Sequence, residues 1–153
     1  MQWHTRSAEE TEAVGEQLAV ARPAGTSLIM LYLVGELGAG KTTLARGFVR
    51  GSGIAGPVRS PSYTLLELHE SPALCILHLD LYRIPVPAEL EMLGLREWAR
   101  AGVLWLVEWP ERGAGHLPAA DLTITLEIER AGSHSLNAIA GSAFGESWLA
   151  ALN

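Results

Sequence analysis

The sequence predicts an α/β domain, a mixed, mostly parallel sheet flanked by helices, with an antiparallel hairpin near its C-terminal end. Three observations predict it. A continuous apolar, β-rich run at 27–34 reads as a strand buried on both faces. Strand and helix patterns alternate through the first two-thirds of the chain, which implies parallel strands joined by right-handed crossovers. Residues 122–128 and 135–139 each alternate polar with apolar side chains about Ala131-Gly132, as a hairpin with one solvated face does.

The elements follow in order. Ser7-Ala8-Glu9-Glu10 has capping-box spacing, and Val14, Leu18 and Ala21 follow at helical intervals. A first helix is therefore expected over 8–22, ended by Pro23 and Gly25. After the 27–34 strand, 35–40 form a glycine-rich turn and 42–52 a helix with Leu44, Phe48 and Val49 inward. The glycines and prolines of 53–62 predict a mobile loop. Strands are expected over 63–68 and 73–81. Pro85 and Pro87 open a short helix at 88–93, with a second helical turn at 96–100. Residues 103–108 form an apolar strand ended by Trp109-Pro110, and 146–152 a closing helix. The hairpin would extend or cover one edge of the sheet. With no repeat and no linker composition, one domain is expected over 1–153.

Composition excludes several functions. A chain of 153 residues buries somewhat under about 70% of its unfolded surface, enough for one core. The apolar run at 28–34 is far short of the ~20 residues of a membrane helix. The polar, acid-bearing residues 1–10 do not form a secretory leader. A soluble cytoplasmic protein with no membrane partner is expected. Cys75 is the single cysteine, too few for an internal disulfide, and its apolar strand context predicts a buried, inert thiol. The net charge is −6 and the ten arginines are scattered. A protein that grips phosphodiesters through its own surface carries a basic patch, so no DNA binding is expected, and RNA only through a partner. Arginine serves every basic position except Lys41, the one lysine. A compact ammonium on a slim stem fits a phosphate loop where a planar guanidinium would not.

Gly35-Glu36-Leu37-Gly38-Ala39-Gly40-Lys41-Thr42 matches G-x-x-x-x-G-K-[ST] in full, between a buried strand and a helix. Glycines let successive backbone N–H groups curl round a phosphate, and the following helix aims the positive end of its dipole at the same anion. The expected ligand is Mg²⁺-bound ATP or GTP, with Lys41 on the β- and γ-phosphates and the Thr42 hydroxyl on Mg²⁺. Such a loop needs an acid at a neighbouring strand end. Asp80 and Glu108 both stand where apolar strands finish, and ligands of open α/β sheets lie beyond those ends. Ser60, Ser62 and Thr64 are candidate γ-phosphate sensors or ordinary loop hydroxyls. His78, Asp80 and Tyr82 alternate and so share a face, where His78 is a site residue or a hydrogen-bonded core histidine. Arg83 either stabilises phosphoryl charge or pairs with an acid, and Trp109 either packs over the site or belongs to the core. Thr11, on the first helix, is a candidate contact to the nucleotide base.

Together Gly35–Thr43, Ser60-Pro-Ser-Tyr-Thr-Leu65, His78-Leu-Asp-Leu-Tyr-Arg83, Glu89-Leu-Glu-Met-Leu-Gly94 and Val107-Glu-Trp-Pro-Glu111 resemble the TsaE (YjeE) family in order and spacing. The resemblance implies a P-loop NTPase fold and the ATPase component of bacterial tRNA threonylcarbamoyladenosine synthesis. It implies Mg²⁺ held by Thr42 and Glu108, Asp80 in the Walker B role near the nucleotide, and Gly38 to Thr43 round the phosphates. It implies TsaB and TsaD as partners, which carry the tRNA and the transfer chemistry while ATP hydrolysis resets their complex. Ser62 replaces a usual Thr, Glu36 a frequent Asp, and Ser133 a frequent Arg, for which no substitute is assigned.

The leading expectation is an Mg²⁺-dependent ATPase with weak intrinsic activity, for which Lys41, Asp80 and Glu108 carry catalysis. A small-molecule kinase would need a basic lid that the scattered arginines do not supply. A nucleotide-dependent switch is the third class, and the guanine-reading N-K-x-D is absent.

Overall fold

The computed structural model describes residues 1–25 and 27–153. Its strands are β1 (Gln2–Thr5), β2 (Ile29–Gly35), β3 (Leu66–Ser71), β4 (Leu74–Asp80), β5 (Val103–Glu108), β6 (Leu122–Ile128) and β7 (His134–Ala140). They form one sheet in the order β1-β7-β6-β2-β5-β4-β3. The four central strands, β6, β2, β5 and β4, are parallel, and the outer pairings are antiparallel. The sheet is thus mixed, with the parallel part at its centre, as expected.

Among the described residues three α-helices pack on it: α1 (Ala8–Ala21), α2 (Lys41–Gly51) and α3 (Ala143–Ala150). The 63–68 expectation is corrected: β3 starts only at Leu66, because Leu65 takes a left-handed turn (φ 66°) whose N–H bonds to Pro61 O. β3 then pairs antiparallel with β4 across a tight turn, so this part of the chain is a hairpin and not a parallel crossover. The segments at 88–93 and 96–100 are the 3₁₀ helices Pro87–Leu93 and Leu95–Trp98. The late hairpin extends the sheet, with β6 bonded directly to the phosphate-loop strand β2.

Alternation sorts the β2, β4 and β5 side chains into two cores. Leu31, Leu33, Ile76, Leu104 and Leu106 face α1 and α2 together with Leu44 and Phe48. Met30, Leu77, Leu79, Trp105 and Val107 face the 3₁₀ segments with Leu90 and Leu95. Ile54 and Val58 of the loop after α2 are buried in the first core. α3 is tied in by Trp148, fully buried, whose Nε1–H donates to Leu18 O at 2.8 Å and whose ring lies 6.0 Å from that of Phe48. Cys75 is only half-buried, which corrects the expected full burial, and the burial it has pushes its thiol pKa up. Among the described residues no helix is long and apolar enough to cross a membrane.

The helices α1 and α2 touch backbone to backbone. A Cβ on Gly47 would overlap the carbonyl oxygen of Glu12, so only glycine permits the approach. The Glu12 carboxylate clamps the same contact, accepting from Arg46 Nε and Arg50 Nη1 at 2.7 Å each. Gly47→Ala should destabilise the fold by about 1–3 kcal/mol through overpacking, even though alanine is the better helix former by ~1 kcal/mol. Urea unfolding measures this, and unchanged or raised stability would refute the close contact.

Candidate functional site

The site is built at the C-terminal edge of the parallel strands. β2 runs out at Gly35, the chain turns, and α2 begins at Lys41. Gly40, the N-cap, is left-handed (φ 100°), a conformation open to glycine at little cost. The other two helix starts are capped by serine hydroxyls, Ser7 on Glu10 N–H and Ser142 on Gly145 N–H. α2 has no side-chain cap and no acid in its first turn. Its leading N–H groups therefore lack a side-chain acceptor, and dipole and donors together favour an anion there.

Strand register brings the acids to this edge. Asp80 lies opposite Glu108 on the parallel pair β4–β5, and Glu108 lies opposite Leu33 on β2. Both carboxylates are buried, at 3% and 1% exposure, which demands partners. The Thr42 hydroxyl lies 3.2 and 3.1 Å from the two Glu108 carboxylate oxygens, and His78 Nε2 lies 2.8 Å from Oε1. Asp80 Oδ1 accepts from the Tyr82 N–H at 2.9 Å, and Oδ2 accepts from the Ser60 hydroxyl. The loop after α2 is thus fastened to one acid and the phosphate-loop helix to the other.

Lys41 is 5% exposed. Its ammonium donates to Gly35 O at 2.6 Å and Glu36 O at 2.8 Å, and sits 4.0 Å from the centroid of the Trp109 ring. Burial lowers its pKa, opposed by the nearby charges of Glu108, Glu111 and Asp80. Trp109 is itself left-handed (φ 59°, ψ 48°), held by its N–H on Leu33 O at 3.3 Å and by the Tyr82 ring at 4.9 Å.

These groups surround a cavity of about 450 Å³, within the range of small-ligand sites. Leu37, Gly38, Gly40, Lys41, Thr42 and Thr43 form one wall. Ser60, Ser62, Asp80, Tyr82, Arg83, Glu108 and Trp109 form the other. Gly35 and Glu36 do not line it: their carbonyls hold Lys41, and both border a second cavity with Thr125–Ile128. Ala39 is fully buried. Thr11 is not brought into the cavity either. It is buried, its hydroxyl is engaged with Thr5 Oγ1 at 2.8 Å and Ser7 O at 3.2 Å, and its methyl group points toward Gly40. Thr64 is also absent from the walls, whereas Ser60 and Ser62 belong to them. Arg83 pairs with no acid among the described residues and lies over the Tyr63 ring, 4.4 Å from its centroid. Sequence reasoning did not single out Glu111, whose charge reaches Lys41. Its place two residues after Trp109, in Val107–Glu111, was the available signal.

An anion bound at the α2 N-terminus would draw Lys41 off the Trp109 face. Titration with ATP should therefore change the tryptophan emission of the wild type, and the change should be lost in Trp109→Phe. An equal response from both proteins would refute the contact between ammonium and ring.

Comparison with known proteins identifies the family. The sequence profile of the family described as "Threonylcarbamoyl adenosine biosynthesis protein TsaE" matches residues 5–136. The tRNA threonylcarbamoyladenosine biosynthesis protein TsaE of Haemophilus influenzae is 48% identical over 99 residues, 65% of this chain and 63% of that protein, so the match spans under two thirds of that relative's length. The TsaE of Bacillus subtilis is 38% identical over 132 residues, 86% of this chain and 79% of that protein. A crystal structure of YdiB from the same species superposes with a TM-score of 0.82 at 30% identity, covering 99% of this chain and 93% of that one. The matched span contains the phosphate loop, both buried acids and the strands that carry them, and the chain belongs to the TsaE family of tRNA threonylcarbamoyladenosine biosynthesis.

Proposed function

We propose that this chain is a magnesium-dependent ATPase of that pathway, with weak turnover of its own, whose hydrolysis resets a complex of TsaB and TsaD. The observation that carries the reading is the contact between Thr42 and Glu108 beside the uncapped start of α2. Two oxygens bound side by side to one Mg²⁺ at 2.0–2.1 Å lie about 2.9 Å apart. The 3.1–3.2 Å between the Thr42 hydroxyl and the Glu108 oxygens fits such an edge, and both are the hard donors that Mg²⁺ prefers. Thr42 and Glu108 would hold the ion, which when bound neutralises charge on the phosphate oxygens.

The chain's own residues do the rest. The N–H groups from Gly38 to Thr43 bind and orient the phosphates, drawing on an anion preference already set by the helix start. Lys41 exchanges two loop carbonyls and the Trp109 face for phosphate oxygens, so its charge is positioned and partly desolvated before the ligand arrives. Asp80 borders the cavity with its carboxylate fixed by Tyr82 and Ser60, where an attacking water or a magnesium-bound water would meet it. Arg83 is the one arginine lining the cavity among the described residues, and it is engaged with Tyr63. Without a free guanidinium to stabilise the leaving charge, intrinsic hydrolysis is slow. A partner that releases Arg83 or supplies another cation would accelerate it.

A second reading is favoured by one observation, the Ser60 hydrogen bond to Asp80. A loop fastened to a site carboxylate can move with nucleotide state, as in a switch. Switch behaviour without hydrolysis would appear as nucleotide-dependent partner binding that survives Glu108→Ala.

ATP hydrolysis should be slow for the isolated chain and rise strongly with TsaB and TsaD. Fast hydrolysis indifferent to both would refute partner control. Lys41→Ala should lose about 2–5 kcal/mol of nucleotide affinity, the cost of removing one member of a buried charged pair. A bound triphosphate favours the protonated amine, so the Lys41 pKa is higher in the complex than in the free protein. Wild-type affinity should therefore be greatest below the lowered free-state pKa and fall as pH rises through it, before the ordinary lysine value of 10.5 is reached. Calorimetry across that range checks both the loss and its sign.

A further inference from the structure

We infer that His78 is a positioning residue for Glu108, its Nε2–H turning the carboxylate toward Thr42 and so setting the magnesium affinity of the site. The inference rests on the magnesium-nucleotide reading above and adds a residue to it. His78 faces Leu106 across β4–β5, while Asp80 faces Glu108. His78 and Glu108 are therefore diagonal neighbours on one face of the sheet, within reach for long side chains. Nε2 lies 2.8 Å from Glu108 Oε1, and the imidazole is fully buried.

A merely space-filling role does not account for this side chain. On its own strand and on β5 its face is packed by Ile76, Leu104 and Leu106, while across β3 it stands opposite Glu67, with the His69 ring 6.0 Å away. The other ring nitrogen, Nδ1, is buried with no hydrogen-bond partner among the described residues. An apolar residue would fill the same volume without orphaning a polar atom, so the histidine costs stability where it stands. What it does in return is meet the carboxylate. Glu108 has two oxygens, and the Thr42 hydroxyl is nearly equidistant from both. Thr42 alone leaves the carboxylate's rotation loosely set, and a donor on Oε1 fixes it. Hydrogen bonds of this kind orient metal ligands in general.

Three variants separate positioning from packing. His78→Leu keeps the volume and removes the donor. His78→Asn keeps polarity but is too short to reach. His78→Gln places an amide N–H near the position of Nε2. ADP binding is measured by calorimetry with Mg²⁺ and in EDTA, with Thr42→Ala as the reference for a lost ligand and thermal melts to confirm folding. The wild type should bind more tightly with Mg²⁺ than in EDTA. His78→Leu and His78→Asn should lose tenfold or more of the magnesium enhancement while their EDTA affinities stay within threefold of wild type. His78→Gln should retain the enhancement within threefold. If His78→Leu fails to fold, the contrast of Asn with Gln decides. Full enhancement in His78→Leu or His78→Asn, or equal loss in His78→Gln, would overturn the positioning role and leave the functional reading intact. A wild type with no magnesium enhancement would overturn both.

Discussion

The first residues of α2 line a cavity, no side chain caps their N–H groups, and two buried carboxylates stand at the ends of the strands beside them. Left alone, either feature is costly: the donors lack acceptors, and the acids are desolvated. The structure holds them together without cancelling them. Thr42, Ser60, Tyr82 and His78 satisfy the carboxylates, and Lys41 is drawn back onto the carbonyls of Gly35 and Glu36. The start of α2 has no side-chain acceptor, and the rest of the fold positions groups around that deficit.

Positioning of this kind needs a helix that cannot shift. The backbone contact at Gly47 and the Glu12 clamp on Arg46 and Arg50 fix α2 against α1. Trp148 fixes α3 to α1 through Leu18. On the opposite side, the parallel register of β2, β5 and β4 sets Leu33, Glu108 and Asp80 in one row. The acids thus inherit their separation from strand spacing, and the Thr42–Glu108 contact joins the rigid helix to the rigid sheet.

The parts legible in the sequence were those with local chemical signatures. The phosphate loop, the apolar run of β5 and the alternation of β6 were each recognisable because turn glycines, buried strands and half-exposed strands have distinct patterns. Ser7 caps α1 as its spacing predicted, although Glu10 reaches the N–H of Arg6 instead of closing back on Ser7. β1 was not legible. Four residues, Gln2–Thr5, carry no strand pattern of their own and are ordered by pairing with β7. Both strands of the β3–β4 pair were expected, but their pairing as a hairpin was not legible, because the turn at Pro72 carries no Asn-Gly or Asp-Gly signal and Leu65 moves the strand start by its left-handed backbone. Thr11 was placed near the nucleotide from its helix alone, whereas its hydroxyl partner, Thr5, comes from the strand that the pattern hid.

The same contrast explains why strand pattern named Asp80 and Glu108 together and only the family resemblance told them apart. Both are acids that end apolar strands, and a linear pattern treats them alike. Their difference arises from what packs opposite them. Glu108 is on a central strand, facing the helix that follows the phosphate loop, so it meets Thr42. Asp80 is one strand farther out, beneath the loop that leaves that helix, so it meets Ser60. One acid is thereby tied to a helix fixed against α1, and the other to a segment anchored by Ile54 and Val58 but free of helix or strand. Sheet order alone separates the acid that meets the helix from the acid that meets the loop.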